Sequence, residues 1–110
     1  MIGRFERCLI PMRRADYHAE GVSITVTDLL WLNDFHLVHV RRHFADGRVR
    51  DLLFTRNPLP ATDRLQRLFS GFGFPHAPRP ISCADKYLNG LVLPESADAW
   101  LRAAISQYPF

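Results

Sequence analysis

Apolar and polar residues alternate strictly over residues 22–27, where valine and isoleucine are separated by serine and threonine. An alternation of period two that uses β-branched residues is typical of a strand with one buried face. The pattern therefore predicts a half-buried strand over these six residues.

A β-hairpin is predicted over residues 36–55. Two runs rich in β-branched and aromatic residues, 36–44 and 48–55, flank the tripeptide Ala45-Asp46-Gly47. Asp-Gly is a preferred hairpin turn because both residues tolerate positive φ angles. The proline-rich residues 57–60 end the hairpin, since proline cannot donate a hydrogen bond to a sheet.

Charge decides the register that we predict for this hairpin. A two-residue turn at Asp46 and Gly47 places Arg42 opposite Asp51, whereas a three-residue loop would place it opposite Arg50. Like charges directly opposite one another destabilise a sheet. We therefore predict the two-residue turn, with a cross-strand ion pair between Arg42 and Asp51.

A helix is predicted after the hairpin. Thr62 is a suitable N-cap, Asp63 in the first turn favours the helix dipole, and the helix runs to about Ser70, where Gly71 can close it. Its apolar stripe consists of Leu65, Leu68 and Phe69.

The last third of the chain predicts a loop, short strands and a second helix. Residues 71–80 are rich in glycine and proline and predict a loop, and residues 81–93 predict one or two short strands around Asn89-Gly90. Ser96 is the predicted N-cap of the C-terminal helix, with Asp98 in its first turn. The predicted buried face of that helix comprises Trp100, Leu101, Ala104, Ile105 and Tyr108.

These elements predict one α+β domain over residues 1–110: a small antiparallel sheet with a central β-hairpin and two packed helices. The chain is 47% hydrophobic and 23% charged, which excludes an intrinsically disordered protein. It has no apolar run of the roughly 18–20 residues that cross a bilayer, so we expect a soluble, cytoplasmic protein without membrane contact. Cys8 and Cys83 form no disulfide framework or metal-binding pair, and we predict that they are small buried residues.

The basic residues are concentrated in the middle of the chain. Of the 14 basic side chains, only Lys86 is not arginine. Residues 33–79 contain eight arginines against four aspartates, a net charge of +4, although the whole chain carries only +3. A charged partner would therefore meet the middle segment, and the total is too low for a dedicated nucleic-acid-binding surface.

The candidate partner-binding residues lie in the hairpin and in the loop that follows the first helix. They are Arg41, His43, Arg48, Arg50, Phe72 and Phe74. The arginines and the histidine could contact an acidic protein surface, or they could grip RNA phosphates and supply acid and base to a metal-free ribonuclease. The phenylalanines either cover the core or anchor a partner, and core cover is the favoured interpretation.

Neither a metal site nor a catalytic motif is predicted. His36, His39 and His43 would share a face on a helix, but on a strand His36 points away from the other two. No carboxylate or cysteine at ligand spacing completes a zinc site, and no nucleophile elbow, P-loop or dinucleotide motif is present. We therefore expect no enzyme activity, no metal and no cofactor.

Two segments carry a family resemblance. Residues 26–51 share individual residues with the pattern V-x-W-L-x-D-x-x-L-x-V-x-F-x-D-G-x-x-R-x-x-D-L, and residues 89–95 share residues with W-P-N-G-x-D-L-x-P-E-x-L. The matching residues are Val26, Trp31, Leu32, Asp34, Leu37, Phe44, Asp46, Gly47, Arg50, Asp51, Asn89, Gly90, Leu93, Pro94 and Glu95. In this respect the chain resembles a small uncharacterised bacterial domain family over residues 22–101. It departs from the family at Leu88 and Val92, where the pattern has proline and aspartate, and in a slightly longer segment from Leu37 to Phe44.

The resemblance implies a compact α+β module that occurs alone, beside toxin-like genes or fused to helix-turn-helix regulators. It carries over no catalytic residue. The leading hypothesis is a non-enzymatic binding module, an antagonist or antitoxin-like protein that binds an acidic surface on a nucleic-acid-processing system. The alternative is a nucleic-acid-binding regulator or ribonuclease toxin that uses Arg41, Arg42, Arg48 and Arg50, and a homodimer is left open.

Overall fold

Five strands form a single mixed sheet in the computed structural model, which describes residues 9–31, 35–56, 59 and 62–107. The first four strands are an antiparallel meander, and a short fifth strand pairs in parallel with the end of the fourth. The strands are β1 (Leu9–Ala19), β2 (Val22–Trp31), β3 (Phe35–His43), β4 (Val49–Thr55) and β5 (Arg79–Pro80). The predicted α+β class and central hairpin are confirmed, and the strand predicted over residues 22–27 lies within β2.

Helices pack on both faces of this sheet. They are α1 (Asp63–Gly71), a 3₁₀ turn (Ile81–Cys83), α2 (Ala84–Leu88) and α3 (Glu95–Gln107). The α2/α3 face of the sheet buries Val26, Val40 and Leu52, which lie side by side on neighbouring strands, against Leu101 of α3. None of the helices in the described ranges is long and apolar enough to span a membrane.

The opposite face of the sheet, called here the α1 face, is covered only in part. Leu37 and Leu53 are fully buried there and pack with Phe69 of α1 and Phe74 of the following loop. Trp31 packs edge-on against Phe69 with 5.0 Å between the ring centroids. β2 is buried on both sides rather than on one, because Leu29 and Trp31 are buried on this face and Val26 is buried on the other. The remainder of the α1 face carries polar side chains.

The register of the hairpin differs from the predicted one. Arg41 lies opposite Asp51, and Arg42 lies opposite Arg50. The loop has three residues: Phe44 N–H donates to the Arg48 carbonyl at 2.9 Å, and Gly47 has a φ of 90°. A type I turn followed by a glycine bulge is a common three-residue hairpin connection. The predicted Arg42–Asp51 ion pair is therefore wrong.

The two facing arginines are tolerated because other groups of the α2/α3 face bind their guanidinium groups. Arg42 donates to the Val92 carbonyl at 2.6 Å, and Arg50 donates to the Gly90 carbonyl at 3.3 Å. The Arg42 guanidinium also stacks on the Phe44 ring, 4.5 Å from its centroid. These contacts hold the two cations on acceptors that lie far away in sequence.

α1 begins as predicted, with the Thr62 hydroxyl accepting a hydrogen bond from Leu65 N–H at 3.2 Å. The glycine that caps it is Gly73, two residues beyond the predicted Gly71. Gly73 has a φ of 93°, and the N–H of Phe74 donates to the Phe69 carbonyl at 3.0 Å, which together form a Schellman cap. The cap folds Phe74 back onto the sheet.

The short strands predicted over residues 81–93 are wrong, because this segment forms the 3₁₀ turn and α2. Ile81, Ala84 and Leu88 are spaced by three and four residues and pack against the α2/α3 face, which is a helical period. Asn89-Gly90 ends α2 instead of turning a hairpin.

α3 starts one residue before the predicted N-cap, with Asp98 N–H donating to the Pro94 carbonyl at 3.0 Å. Ser96 instead hydrogen-bonds the Tyr17 hydroxyl at 3.1 Å. Three of the residues predicted to be buried, Leu101, Ala104 and Ile105, are buried. Trp100 is half-buried against the core, and Tyr108 lies outside the described residues.

Gly47→Ala is expected to destabilise the protein by about 1–2 kcal/mol, because a side chain at this positive φ is strained. Gly71→Ala is the matched control. This glycine is helical, a Cβ there meets nothing within 4 Å, and alanine should stabilise the protein by about 0.5–1 kcal/mol. Urea unfolding measures both changes, and equal stability of the Gly47 variant and the wild type would contradict the three-residue loop.

Candidate functional site

The predicted partner-binding residues of the hairpin do not form one surface. Arg41 and His43 lie on the α1 face, whereas Arg50 lies on the α2/α3 face. Arg48 belongs to the turn, where it is ion-paired with Asp46 at 2.6 Å. The arginines and the histidine of the predicted set are therefore divided between two faces and the turn, because the three-residue loop places Arg50 opposite Arg42 and away from Arg41 and His43.

A polar row crosses the α1 face from β1 to β4. Asp16, Thr25, Arg41 and Asp51 lie opposite one another on four successive strands. The Thr25 hydroxyl donates to Asp16 Oδ1 at 2.8 Å, and Arg41 Nε donates to Asp51 Oδ1 at 2.8 Å. The row is therefore hydrogen-bonded within itself.

Asp51 also accepts a hydrogen bond from His39 Nε2 at 2.7 Å. The His39 ring is largely buried and packs edge-on against Phe74, with 4.8 Å between centroids. Burial lowers the pKa of His39, so that its neutral form donates through Nε2. Burial also favours a higher pKa for Asp51, but the hydrogen bonds from Arg41 and His39 outweigh it and lower that pKa.

The arginines on this face are neutralised by neighbouring carboxylates. Arg41 pairs with Asp51, and Arg14 on β1 pairs with Asp16 at 3.2 Å. An arginine whose fork is already occupied by a carboxylate is a poor ligand for a phosphate, because binding would first have to break that pair. The α1 face is thus polar but not strongly cationic.

A groove of about 590 Å³ lies beside the outer edge of β4, and we call it the β4-edge groove. β4, the end of α1, the loop after it, β5 and α2 all contribute to its walls. Its lining residues are Val49, Arg50, Asp51, Leu52, Ser70, Gly73, Phe74, Pro75, His76, Arg79 and Tyr87.

Two arginines make this groove cationic. The Arg79 guanidinium stacks on Tyr87, 3.9 Å from the ring centroid, and Arg50 donates to the neutral Gly90 carbonyl. Within the described ranges, neither Arg50 nor Arg79 has a carboxylate within ion-pair distance. The Asp51 carboxylate is directed to the α1 face, where it is bound by Arg41 and His39.

The loop after α1 forms the other wall. Phe74 is 9% exposed and covers the core, as favoured for this loop, although its ring also lines the groove. Phe72 is half-buried and packs edge-on against Phe69, 5.4 Å between centroids. His76 donates through Nδ1 to the Ala77 carbonyl at 2.7 Å, and burial lowers its pKa. The loop wall is therefore mainly apolar and uncharged at neutral pH.

Arg50 and Phe74 are thus the two predicted site residues that the fold brings to one groove. Arg79 and Tyr87 also line the groove and were not among the predicted site residues. Arg79 stands between Pro78 and Pro80, and proline on either side favours the extended backbone of β5, which was a usable indication. Tyr87 was missed because its segment was predicted as strand rather than helix.

The positions of the histidines and of Cys83 test the predictions about a metal site and about buried cysteines. The strand register places His36 on the opposite face from His39 and His43, as predicted. A search of the described residues finds no group of three or more potential ligands that could hold a metal ion. Cys83 is exposed, so the prediction that it is buried is wrong, and Cys8 lies outside the described residues.

Comparison of the chain with protein-family models, curated proteins and solved structures finds no match.

We expect the free energy of unfolding to fall as the pH drops from about 7.5 to about 5.5. His39 and His76 have folded-state pKa values below the ordinary 6.5, so the unfolded chain binds protons first and is favoured at low pH. The slope is at most about 1.4 kcal/mol per pH unit for each histidine. Urea unfolding across this range should show a flatter dependence for the His39→Gln/His76→Gln variant, and an unchanged slope in that variant would refute the assignment.

Proposed function

We propose that the chain is a small non-enzymatic binding module whose partner is a protein with an acidic surface. The observation that carries this proposal is the β4-edge groove, which both Arg50 and Arg79 line with no carboxylate partner among the described residues. Arginine forks bind carboxylates in pairs of parallel hydrogen bonds, so an acidic side chain is the complementary group.

The proposal of a non-enzymatic role is supported by the state of the histidine–aspartate pair. His39 and Asp51 resemble an acid–base pair in composition, but Arg41 also binds the carboxylate and Phe74 packs against the imidazole. The side chains of His39 and Asp51 are only 13% and 10% exposed. A general acid or base must reach a substrate atom within hydrogen-bond distance, and this pair is directed at its own sheet instead.

A protein partner is favoured over a nucleic acid because most arginines of the hairpin are already bound by other groups of the chain. The alternative, a nucleic-acid-binding regulator or ribonuclease toxin, would use Arg41, Arg42, Arg48 and Arg50 as one phosphate-binding surface. Arg41 and Arg48 are paired with aspartates, and Arg42 is bound to the Val92 carbonyl on the other side of the sheet. Only Arg50 of the four is held by a neutral acceptor at the groove.

The finer form of the proposal is an antagonist or antitoxin-like partner of a nucleic-acid-processing system in a bacterial cytoplasm. Its support is the family resemblance of residues 22–101. The groove itself supports any protein partner with an acidic surface, and it does not distinguish one such partner from another.

Binding of fluorescent poly-L-glutamate, measured by anisotropy, tests the proposal. We expect the Arg50→Glu/Arg79→Glu variant to lose about tenfold or more in affinity, because two charge-assisted contacts become repulsive. The Arg50→Ser/Arg79→Ser variant should show a smaller loss in the same direction. Circular dichroism confirms that each variant is folded.

The matched control is Arg64→Glu/Arg67→Glu, which reverses two exposed arginines of α1 that do not line the groove. It changes the net charge by the same amount and should keep most of the affinity. Equal losses in both double variants would refute the groove. Tighter binding to single-stranded RNA or duplex DNA, with a steep dependence on salt, would favour the nucleic-acid alternative.

A further inference from the structure

We infer that the β4-edge groove receives an extended acidic segment of the partner protein as an added strand of the sheet. This inference rests on the proposed function and specifies two further properties: the main chain of the partner pairs with β4, and its side chains alternate between acidic and apolar.

The backbone of β4 offers free groups to such a strand. In an antiparallel pair, alternate residues direct their N–H and C=O groups toward the partner strand and away from it. Arg48 accepts from Phe44 at 2.9 Å and therefore faces β3, as do Arg50 and Leu52 by alternation. Val49 and Asp51 consequently direct their backbone groups outward, into the β4-edge groove.

The chain itself already uses the same edge. β5 pairs in parallel with Phe54 and Thr55, at the end of β4. Among the described residues, no strand pairs with this edge at residues 49–53. These five residues span about 17 Å of strand, which is a typical length for peptide addition to a sheet edge.

The two walls of the groove determine which side chains fit. Arg50 and Arg79 lie on the side of the α2/α3 face, and Phe74 and Pro75 lie on the side of the α1 face. Successive side chains of an added strand point to opposite faces of the sheet. Every second residue would therefore meet the arginines, and the residues between them would meet the apolar wall.

Both arginines are held in place before a ligand binds. Tyr87 supports the Arg79 guanidinium, and the Gly90 carbonyl holds one nitrogen of Arg50. A guanidinium fork that is already oriented loses less conformational entropy on binding a carboxylate. This arrangement favours acidic residues at alternate positions over an apolar or basic segment.

The other edge of the sheet is a poorer site for strand addition. β1 contains Pro11, which has no N–H to donate, and its register shifts between Pro11 and Arg13. Prolines, bulges and basic residues on an edge strand are typical of edges that are protected against pairing. The exposed side chains of Ile10 and Met12 therefore do not make β1 the better edge.

The experiment uses a capped octapeptide of alternating glutamate and valine, with amide hydrogen exchange of the protein followed by NMR. At a peptide concentration of about ten times its Kd, exchange of the Val49 and Asp51 amides should slow about tenfold. The amides of Arg50 and Leu52 are already paired with β3, so any slowing at these two positions measures the stabilisation of the folded sheet by the bound peptide.

Two further peptides separate strand addition from attraction between charges. A peptide of the same composition with its glutamates and valines in two blocks, and an alternating peptide with N-methylated backbone nitrogens, should each bind about tenfold more weakly. The Arg50→Ser/Arg79→Ser variant should bind the alternating peptide more weakly than the wild type does, and the Arg64→Ser/Arg67→Ser variant should bind it with unchanged affinity.

Equal affinity for all three peptides, or unchanged exchange at Val49 and Asp51, would overturn strand addition. Binding of poly-L-glutamate at the arginines would then still support the proposed function, so the two failures are distinguishable. A third outcome concerns the protein without peptide. If exchange at Val49 and Asp51 becomes slower as the protein concentration rises, a second copy of the chain occupies the edge, and the inference is overturned.

Discussion

The pairing of β3 with β4 decides how the charges of this protein are distributed. A three-residue loop with Gly47 at a φ of 90° sets the pairing, so that Arg41 meets Asp51 on one face and Arg42 meets Arg50 on the other. A hairpin with one residue fewer in the loop would pair each arginine with a different residue. The neutral α1 face and the cationic groove both follow from this register.

On the α1 face, each charge is satisfied close to where it lies. Asp51 binds Arg41 and His39, and Asp16 binds Arg14 and Thr25. Charges can be partly buried when ion pairs and hydrogen bonds offset the cost of their desolvation. This face therefore contributes to the structure of the sheet, and its arginines are not available to an anionic partner.

On the α2/α3 face, three of the arginines are bound by neutral groups instead. Arg42 and Arg50 reach the carbonyls of Val92 and Gly90, and Arg79 stacks on Tyr87. A carbonyl or an aromatic ring orients a guanidinium but leaves its positive charge uncompensated. Because Arg50 and Arg79 also line the groove beside the unpaired part of β4, the backbone and the charge of one site point to the same kind of ligand.

Local chemistry was sufficient to predict the elements whose patterns are strong. The alternation of residues 22–27, the cap at Thr62 and the apolar spacing of the last helix each predicted an element that is present, as did the two β-rich runs around Asp46-Gly47. The separation of His36 from His39 and His43 followed from the period of a strand. These features depend on residues within about one or two turns of one another, where propensity and periodicity operate.

Long-range contacts decided the rest. The like-charge argument against the three-residue loop failed because the acceptors for Arg42 and Arg50 lie about 40–50 residues away, on the connection between α2 and α3. Residues 81–88 are helical because Ile81, Ala84 and Leu88 pack on the sheet with a helical period. The sequence by itself therefore determined the class of fold, the position of the hairpin and the basic character of the middle segment. Only the tertiary structure decided which arginines are neutralised and which remain at the groove, because the partners that make this difference are brought together by folding alone.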